Sequence, residues 1–229
     1  MARRIPEKRF DELIRAATEV FIARGYRLTQ MSDVAEAVGV AKGTLYGYVE
    51  SKEALLWVCL LGADQVGPIP LPETLPVPTP QQGQMGLRVK AALNAEGGQP
   101  ILSDALERDR VEDPIKEMGK VIGELYDLMF ANRHGIKLLD RCLDHPELAN
   151  LWQTQGREQP RRAIARYIEQ RIAVGQIRPV PNIRLAARIV IETVATWAVH
   201  IHWDRAPEVF EPEEMRSGAI DFLVRGLSA

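Results

Sequence analysis

Hydrogen-bonding side chains are concentrated between residues 42 and 52, in the stretch KGTLYGYVESK. Its ammonium and hydroxyl groups include those of Lys42, Thr44, Tyr46, Tyr48 and Lys52. Groups of these types donate to phosphate oxygens and to base edges in a DNA groove. Gly43 and Gly47 add no side chain, which leaves one face of a helix slim enough to approach a groove floor. These residue types indicate binding of a polar, anionic partner.

Two short helices that cross at a tight turn would position these groups, and residues 31–48 carry the pattern that a helix-turn-helix needs. Ala35 is the small residue against which the second helix packs, and Gly39 is a turn residue that tolerates positive φ. The apolar positions fall to Val34, Val38, Val40, Leu45 and Tyr48. The pattern predicts a recognition helix over roughly residues 42–48. The alternative is a tight helical hairpin that holds its tyrosines in a core.

Helical periodicity continues on both sides of this motif. Apolar residues recur at spacings of three and four over residues 10–24, and Gly25 is expected to end that helix. Thr29 is expected to cap the next helix. Ser51 is expected to cap a fourth helix, which continues to about residue 61.

The stretch FDELIRAATEVFIARGY, with the later stretch TQMSDVAEAVGVAKGTLYGYVESKEALL, resembles the DNA-binding domain of TetR-family transcriptional regulators. The resemblance covers about residues 9–61 and includes the K-G-T-L-Y-x-Y helix. Residue by residue, it implies DNA contacts by Thr29, Lys42, Gly43, Thr44, Tyr46, Tyr48 and Lys52. Ala41 stands where the family often has serine or threonine, so a helix cap is missing. Val49 replaces a common phenylalanine, which thins the packing under the recognition helix.

Composition limits where a nucleic acid can bind. The chain has 229 residues and a formal net charge of −2, so a DNA contact must come from a local patch. Cys59 and Cys142 form no disulfide framework and are expected to be reduced packing residues. No apolar run predicts a secretory signal or a membrane span. We expect a cytoplasmic protein that is nucleoid-associated when it is bound to DNA.

Helical periodicity predicts that the chain is all-α. The resemblance implies a three-helix DNA-binding domain followed by a helical effector-binding and dimerisation domain. The expected boundaries are a helix-turn-helix domain over 1–50, a connecting helix over 51–66, a Pro-rich segment over 67–80 and the second domain over 81–229. The Pro-rich segment, GPIPLPETLPVPTP, is expected to be extended, because proline removes backbone donors and clashes with a continuing helix. It is either a linker or a strap that lies on the surface.

A long helix is expected from Asn182 to about Trp203, and its apolar residues wrap around all sides. Such a helix must be covered from more than one direction. Pairing it with the last helix, which Pro212 opens, across a two-fold axis would build a four-helix dimer interface. The residues expected there are Ala186, Val190, Val194, Trp197, Met215, Ala219 and Phe222. The alternative is the central helix of a monomer.

The resemblance also implies that the second domain binds a small-molecule effector, whose identity the sequence does not give. The candidates for a pocket are Tyr126, Met129, Phe130, Trp152, Tyr167 and Trp197. Aromatic residues at helical spacing are equally typical of a plain core. No metal or cofactor is expected, because His200 and His202 would point to different faces of one helix and no phosphate-binding glycine loop is present.

Together, these features favour a homodimeric transcriptional regulator that binds a palindromic double-stranded operator. Such proteins are most often repressors in this family, and a small-molecule effector would release the DNA. A ligand-independent DNA-binding or architectural protein is an alternative. A helical-bundle enzyme is another, but no acid/base, nucleophile or metal constellation in the sequence supports it.

Overall fold

The computed structural model describes residues 7–93 and 99–229. The first helices are α1 (Glu7–Leu28), α2 (Met31–Val38), α3 (Lys42–Leu45), α4 (Lys52–Gly62) and α5 (Gln84–Leu93). The later helices are α6 (Pro100–Leu106), α7 (Pro114–Ala131), α8 (Arg133–Arg141), α9 (Ala149–Leu151), α10 (Gln159–Ala173), α11 (Ile183–Ala198) and α12 (Pro212–Leu227). Within these residues the only β-structure consists of isolated bridges, and the expected all-α class is confirmed.

Two compact units divide the described chain. The first unit comprises the residues up to Ala92 together with His134–Trp152. The second comprises Leu93–Arg133 and Gln153–Ala229. α8 and α9 therefore pack with the N-terminal helices, although they follow α7 in the chain. This division differs from the expected boundary at residue 81.

α1 is the central helix of the first unit and packs against α2 and α4. Its buried face consists of Phe10, Leu13, Ile14, Ala17 and Phe21. Removing this apolar face from water is the main favourable term in holding the three helices together. Helical geometry is interrupted at Gly25, whose φ of 76° lies in the left-handed region. The sequence-based prediction that Gly25 ends the helix is therefore confirmed.

The chain after α8 reaches the C-terminal end of α1. The Arg141 guanidinium donates to the carbonyl oxygens of Ile22 and Ala23, at 2.8 and 3.1 Å. The Asp144 carboxylate accepts from the backbone N–H groups of Tyr26 and Arg27, at 3.2 and 2.6 Å. These bonds satisfy backbone groups that the interrupted helix would otherwise leave without partners. They explain why residues 134–152 belong to the first unit.

In the second unit, α11 packs against α7, α10 and α12. The interior of this unit holds a polar cluster as well as apolar side chains. Arg171 is completely buried, and its Nε donates to Glu117 Oε1 at 2.8 Å. Its two terminal nitrogens donate to the carbonyl oxygens of Arg108 and Ala105, at 2.9 and 2.7 Å. Since each of the three guanidinium nitrogens donates a hydrogen bond, the cost of burying the charge is offset.

Several helix ends lie where the sequence predicts them. Asn182 caps α11, and its Oδ1 accepts from Leu185 N at 3.0 Å. α11 is shorter than expected, however, because a 3-10 segment, His200–Trp203, replaces its last turn. Pro146 lies in a turn, and α9 begins at Ala149. A π-helical segment, Trp152–Glu158, then leads into α10. No helix of the described residues is both long and apolar enough to cross a membrane.

Candidate nucleic-acid interface

A glycine turn connects α2 to α3. Gly39 adopts φ 70° and ψ 42°, and its N–H donates to Glu36 O at 3.1 Å. The next N–H, of Val40, donates to Ala35 O at 2.9 Å. Ala35, the predicted small residue, is buried. The predicted helix-turn-helix, including its small residue and its left-handed glycine, is confirmed.

The recognition segment, residues 42–48, begins with one helical turn and continues through tight turns. α3 contains four residues, so the helix is shorter than the sequence predicts. Gly47 N then donates to Thr44 O at 3.1 Å, and Tyr48 N donates to Leu45 O at 2.9 Å. Ala41 precedes α3 without a side-chain cap, as its residue type predicts. The fully buried Leu45 anchors the segment to the core.

One surface of the recognition segment faces solvent. Its exposed residues are Lys42, Gly43, Thr44, Tyr46 and Gly47. The Tyr46 side chain is 44% exposed. The segment from Val38 to Tyr48 contains no acidic residue, so nothing within it repels a phosphate. Four of the seven expected DNA-contacting residues are thus accessible to solvent within this short segment.

Thr29 and Tyr48 are not on that surface. Thr29 is buried, and its hydroxyl donates to Gly25 O at 2.7 Å. It is not the cap of α2 either: Gln30 occupies that position, and its N–H donates to Asp33 Oδ2 at 2.8 Å. Tyr48 is 5% exposed, with its ring centroid 6.3 Å from that of Phe10. Both side chains pack in the core of the first unit, which argues against the expectation that they contact DNA.

Lys52 is engaged inside the first unit. Its Nζ donates to the carbonyl oxygens of Tyr26, Arg27 and Thr29, at 2.9, 3.4 and 3.0 Å. The same ammonium lies 4.4 Å from the centroid of the Tyr26 ring. An ammonium has three protons, and these three acceptors use them all. Lys52 therefore caps the C-terminal end of α1, which argues against the expected phosphate contact.

The start of α2 carries polar residues that the sequence analysis did not single out. Gln30 and Ser32 are exposed there, and Ser32 Oγ donates to Gln30 Oε1 at 3.4 Å. Asp33 forms an ion pair with Arg24 at 3.0 Å, which orients the end of α1 beside α2. The signal in the sequence was the spacing of Gln30 and Asp33, which matches a capping box at a helix N-terminus.

Five of the six expected pocket residues lie in the second unit, and Trp152 lies in the first. Tyr126 and Phe130 stack with centroids 6.4 Å apart, and the Tyr126 hydroxyl donates to Trp197 O at 3.3 Å. Tyr167 instead donates to Glu117 Oε1 at 3.2 Å, about two and a half turns away from Tyr126 along α7. Met129 is half-buried in the second unit.

Trp152 belongs to the first unit, where its Nε1 donates to Asp140 Oδ1 at 3.4 Å. A groove of about 600 Å³ in the second unit is lined by other residues, which include Arg110, Ile115 and Gln176. In the described part of the chain, no three His, Cys, Asp or Glu side chains are grouped to hold a metal ion.

The expected dimer residues differ in their accessibility. Val190, Val194 and Ala219 are buried in the core of the chain itself, so their side chains cannot meet a partner. Their burial argues against the expected dimer contacts at these positions. Ala186, Trp197 and Met215 are half-buried. Phe222 is 73% exposed, and on α11 the exposed apolar residues are Leu185 and Ile189.

Comparisons with known proteins agree with this architecture. Residues 13–57 match the family model described as bacterial regulatory proteins, tetR family. The HTH-type transcriptional repressor KstR2 of Mycolicibacterium smegmatis is 37% identical over 51 residues, which are 22% of this chain and 25% of that protein. The matched segment therefore spans about a quarter of this curated relative.

Solved structures share the fold over almost the whole chain. The ketosteroid transcriptional regulator KstR2 of Mycobacterium tuberculosis superposes with a TM-score of 0.58 at 17% identity, over 99% of this chain and 97% of that chain. AibR in complex with isovaleryl coenzyme A and operator DNA superposes with a TM-score of 0.50 at 16% identity, over 94% and 98%.

Proposed function

We propose that this chain is a transcriptional repressor of the tetR family of bacterial regulatory proteins, whose model matches residues 13–57, and that it reads its operator through the recognition segment. The observation that carries the proposal is the exposed surface formed by Lys42, Gly43, Thr44 and Tyr46 on a buried Leu45 anchor. Lys42 would neutralise a phosphate, and Gly43 would allow close approach. The hydroxyls of Thr44 and Tyr46 would reach base edges or phosphates in a major groove.

The operator is proposed to be palindromic, because a homodimer presents two recognition segments related by a two-fold axis. The exposed apolar residues of α11 and α12 support a dimer. Leu185 and Ile189 are 56% and 51% exposed and lie one turn apart. Large apolar side chains that face water on neighbouring helices favour association with a second copy.

The proposed regulator works in the cytoplasm and is released from DNA by a small organic effector. One protein of similar fold, AibR, is in complex with isovaleryl coenzyme A, which makes acyl thioesters the first class to test. Release requires that the effector binds the DNA-free state more tightly than the DNA-bound state. A protein whose operator affinity responds to no effector would instead fit the ligand-independent alternative.

Selection from random duplex DNA tests the proposal. The wild-type protein should enrich a palindromic sequence, here named the selected operator. Tyr46→Ala should weaken binding to the selected operator by about tenfold to a hundredfold, the usual range for a base contact. Tyr46→Phe separates the contribution of the hydroxyl from that of the ring. Enrichment of no sequence, or equal binding by Tyr46→Ala, would contradict the proposal. A metabolite panel that includes acyl thioesters tests effector release.

Sedimentation tests the dimer. Ile189→Glu should raise the monomer fraction, because it places a charge on an exposed apolar surface without disturbing the core. Val190→Ala is the matched control on the adjacent, buried position, and it should lower stability without changing the association state of the folded chain. A monomeric wild-type protein would contradict the proposal.

A further inference from the structure

The Pro-rich segment, residues 67–80, is a strap that is bound to the first unit near both of its ends. At its start, Gly67 O accepts from the Arg15 guanidinium at 2.7 Å, and Ile69 N donates to Asp11 Oδ1 at 3.0 Å. The Ile69 side chain is buried against Gly62, where a Cβ would lie 2.8 Å from its Cδ1. This end of the strap is therefore fixed to α1 and α4.

The other end of the strap pairs with the backbone at the end of the recognition segment. Val77 N donates to Tyr48 O at 2.8 Å, and Glu50 N donates to Val77 O at 3.0 Å. These two bonds form a parallel bridge between Val49 and Val77, both of which are buried. Val77 of the strap thus pairs, as a strand of one residue, with the chain at the end of the recognition segment.

Side chains extend this pairing by one more step. Thr79 N donates to Glu50 Oε2 at 2.9 Å, and the hydroxyls of Thr79 and Ser51 lie 2.7 Å apart. Ser51 Oγ also accepts from Ala54 N at 3.1 Å, so it caps α4. The same contacts therefore hold the end of the recognition segment and the start of the next helix.

The recognition segment needs such support because it has little structure of its own. A helix of four residues has few internal hydrogen bonds, and single turns are unstable in isolation. Without the strap, Tyr48 O and Glu50 N would lose the partners that fix the chain direction at this point. A passive connector between α4 and α5 would not need these bonds.

We propose that Val77 and Thr79 are positioning residues, which hold the recognition segment in the orientation that discriminates the operator from other DNA. This inference rests on the proposed function. The strap acts through the protein and not on phosphates, because Glu73 is its only charged residue and it contains no lysine or arginine. Releasing the strap should therefore reduce sequence discrimination while non-specific, salt-dependent binding is retained.

Glu50 offers a matched pair of variants. Glu50→Ala removes the acceptor of Thr79 N, whereas Glu50→Gln also removes the charge but keeps an oxygen acceptor. The measured quantity is the ratio of dissociation constants for a scrambled duplex and for the selected operator. Glu50→Ala should lower this ratio by about three- to tenfold, the effect of one lost hydrogen bond, and Glu50→Gln should leave it near the wild-type value. Equal ratios in both variants would overturn the proposal.

Val77→Pro removes the donor to Tyr48 O and should lower the ratio further, by about tenfold or more. Val77→Ala retains the N–H and serves as its control. Amide hydrogen exchange of the DNA-free variants gives a readout that is independent of any operator. Exchange at Glu50 and over residues 45–49 should accelerate in Val77→Pro more than in Val77→Ala.

The outcomes separate the two proposals. If the wild-type protein enriches no DNA sequence, the proposed function fails, and hydrogen exchange still decides whether the strap orders the recognition segment. If the wild-type protein enriches an operator but Val77→Pro keeps the wild-type ratio, the strap proposal alone is overturned. Unchanged exchange over residues 45–49 in folded Val77→Pro overturns it as well.

Discussion

Lys52→Met is expected to destabilise the first unit and to leave DNA binding by the folded protein unchanged. The sequence motif places Lys52 at a position from which it would contact a phosphate. In the structure, its ammonium instead lies over the end of α1, where it donates to the carbonyl oxygens of Tyr26, Arg27 and Thr29. The two interpretations predict opposite results in two measurements.

The magnitude follows from the contacts of the ammonium. Hydrogen bonds that involve a charged group contribute roughly 1.5–3 kcal/mol each, and a cation at a helix C-terminus contributes about 0.3–1 kcal/mol. The Tyr26 ring, 4.4 Å away, adds about 0.5–1 kcal/mol as a cation–π contact. These contributions come from one ammonium group and overlap, and methionine retains most of the aliphatic stem. We expect a loss of about 2 kcal/mol in the free energy of unfolding.

Urea unfolding and the salt dependence of DNA binding provide the assay, and Lys42→Met is the matched control. Lys42 is exposed on the recognition segment, so its variant should change the free energy of unfolding by less than about 0.5 kcal/mol. It should also reduce the slope of log K against log salt by about one, because one phosphate contact is lost. Lys52→Met should show the reverse: lower stability and an unchanged slope.

The reasoning would be refuted if Lys52→Met were as stable as the wild-type protein and reduced the salt slope by one. That result would mean that Lys52 leaves the carbonyl oxygens of α1 and reaches the DNA backbone. A loss of both stability and slope would refute the claim that its three protons are fully used within the unit.

Three further changes test the interior. Gly25→Ala should cost about 1–3 kcal/mol, because φ is 76° and a Cβ would lie 2.9 Å from Arg141 O; an unchanged urea midpoint would contradict this. Arg171→Met should lower the free energy of unfolding in urea by about 3–5 kcal/mol, since it leaves Glu117 buried without its cation. Adding Glu117→Gln should recover part of the lost stability, and no recovery would count against the ion pair. Burial raises the pKa of Tyr26 from 10.0 to about 12, so the stability that its neutral form contributes is complete below pH 10 and is lost as the pH rises towards 12. In a pH series of unfolding measurements, the free energy of unfolding of Tyr26→Phe should decline less over that range than that of the wild-type protein. Equal declines would contradict the assignment.

Local features of the fold could be predicted because their causes are local. Ser51 and Asn182 cap α4 and α11 through hydroxyl and amide oxygens that reach an N–H group three residues later. Gly39 turns the chain because it tolerates a left-handed backbone. Each of these predictions needs only a few neighbouring residues, and the sequence contains them all.

The DNA-contact candidates could be predicted only in part, because a motif gives positions and not partners. Thr29 and Lys52 match family positions, yet both side chains donate hydrogen bonds to carbonyl oxygens of α1. In the case of Lys52, the acceptor lies more than twenty residues earlier in the chain. That contact depends on the packing of α4 against α1 and on the interruption of α1 at Gly25. The exposure of Lys42 and Tyr46 depends on the same packing, but there the motif and the fold agree.

The Pro-rich segment illustrates a second limit. Its composition predicts an extended backbone, but a linker and a strap have the same composition. The difference lies in the pairing of Val77 with Tyr48 and Glu50, which are separated from it by more than twenty residues. No periodicity marks a bridge of one residue, so only the folded chain reveals it.

α11 shows why the dimer surface could not be assigned by residue type. Val190 and Ile189 are adjacent and almost equally apolar, yet the first is buried in the core and the second faces solvent. The apolar residues around the helix predict that it is covered on several sides, and α7, α10 and α12 pack against it within the unit. What remains exposed, Leu185 and Ile189, is decided by the rotation of the helix within its own unit. Because a rotation of about 100° separates neighbouring positions on a helix, the same substitution one residue apart tests folding in one case and association in the other.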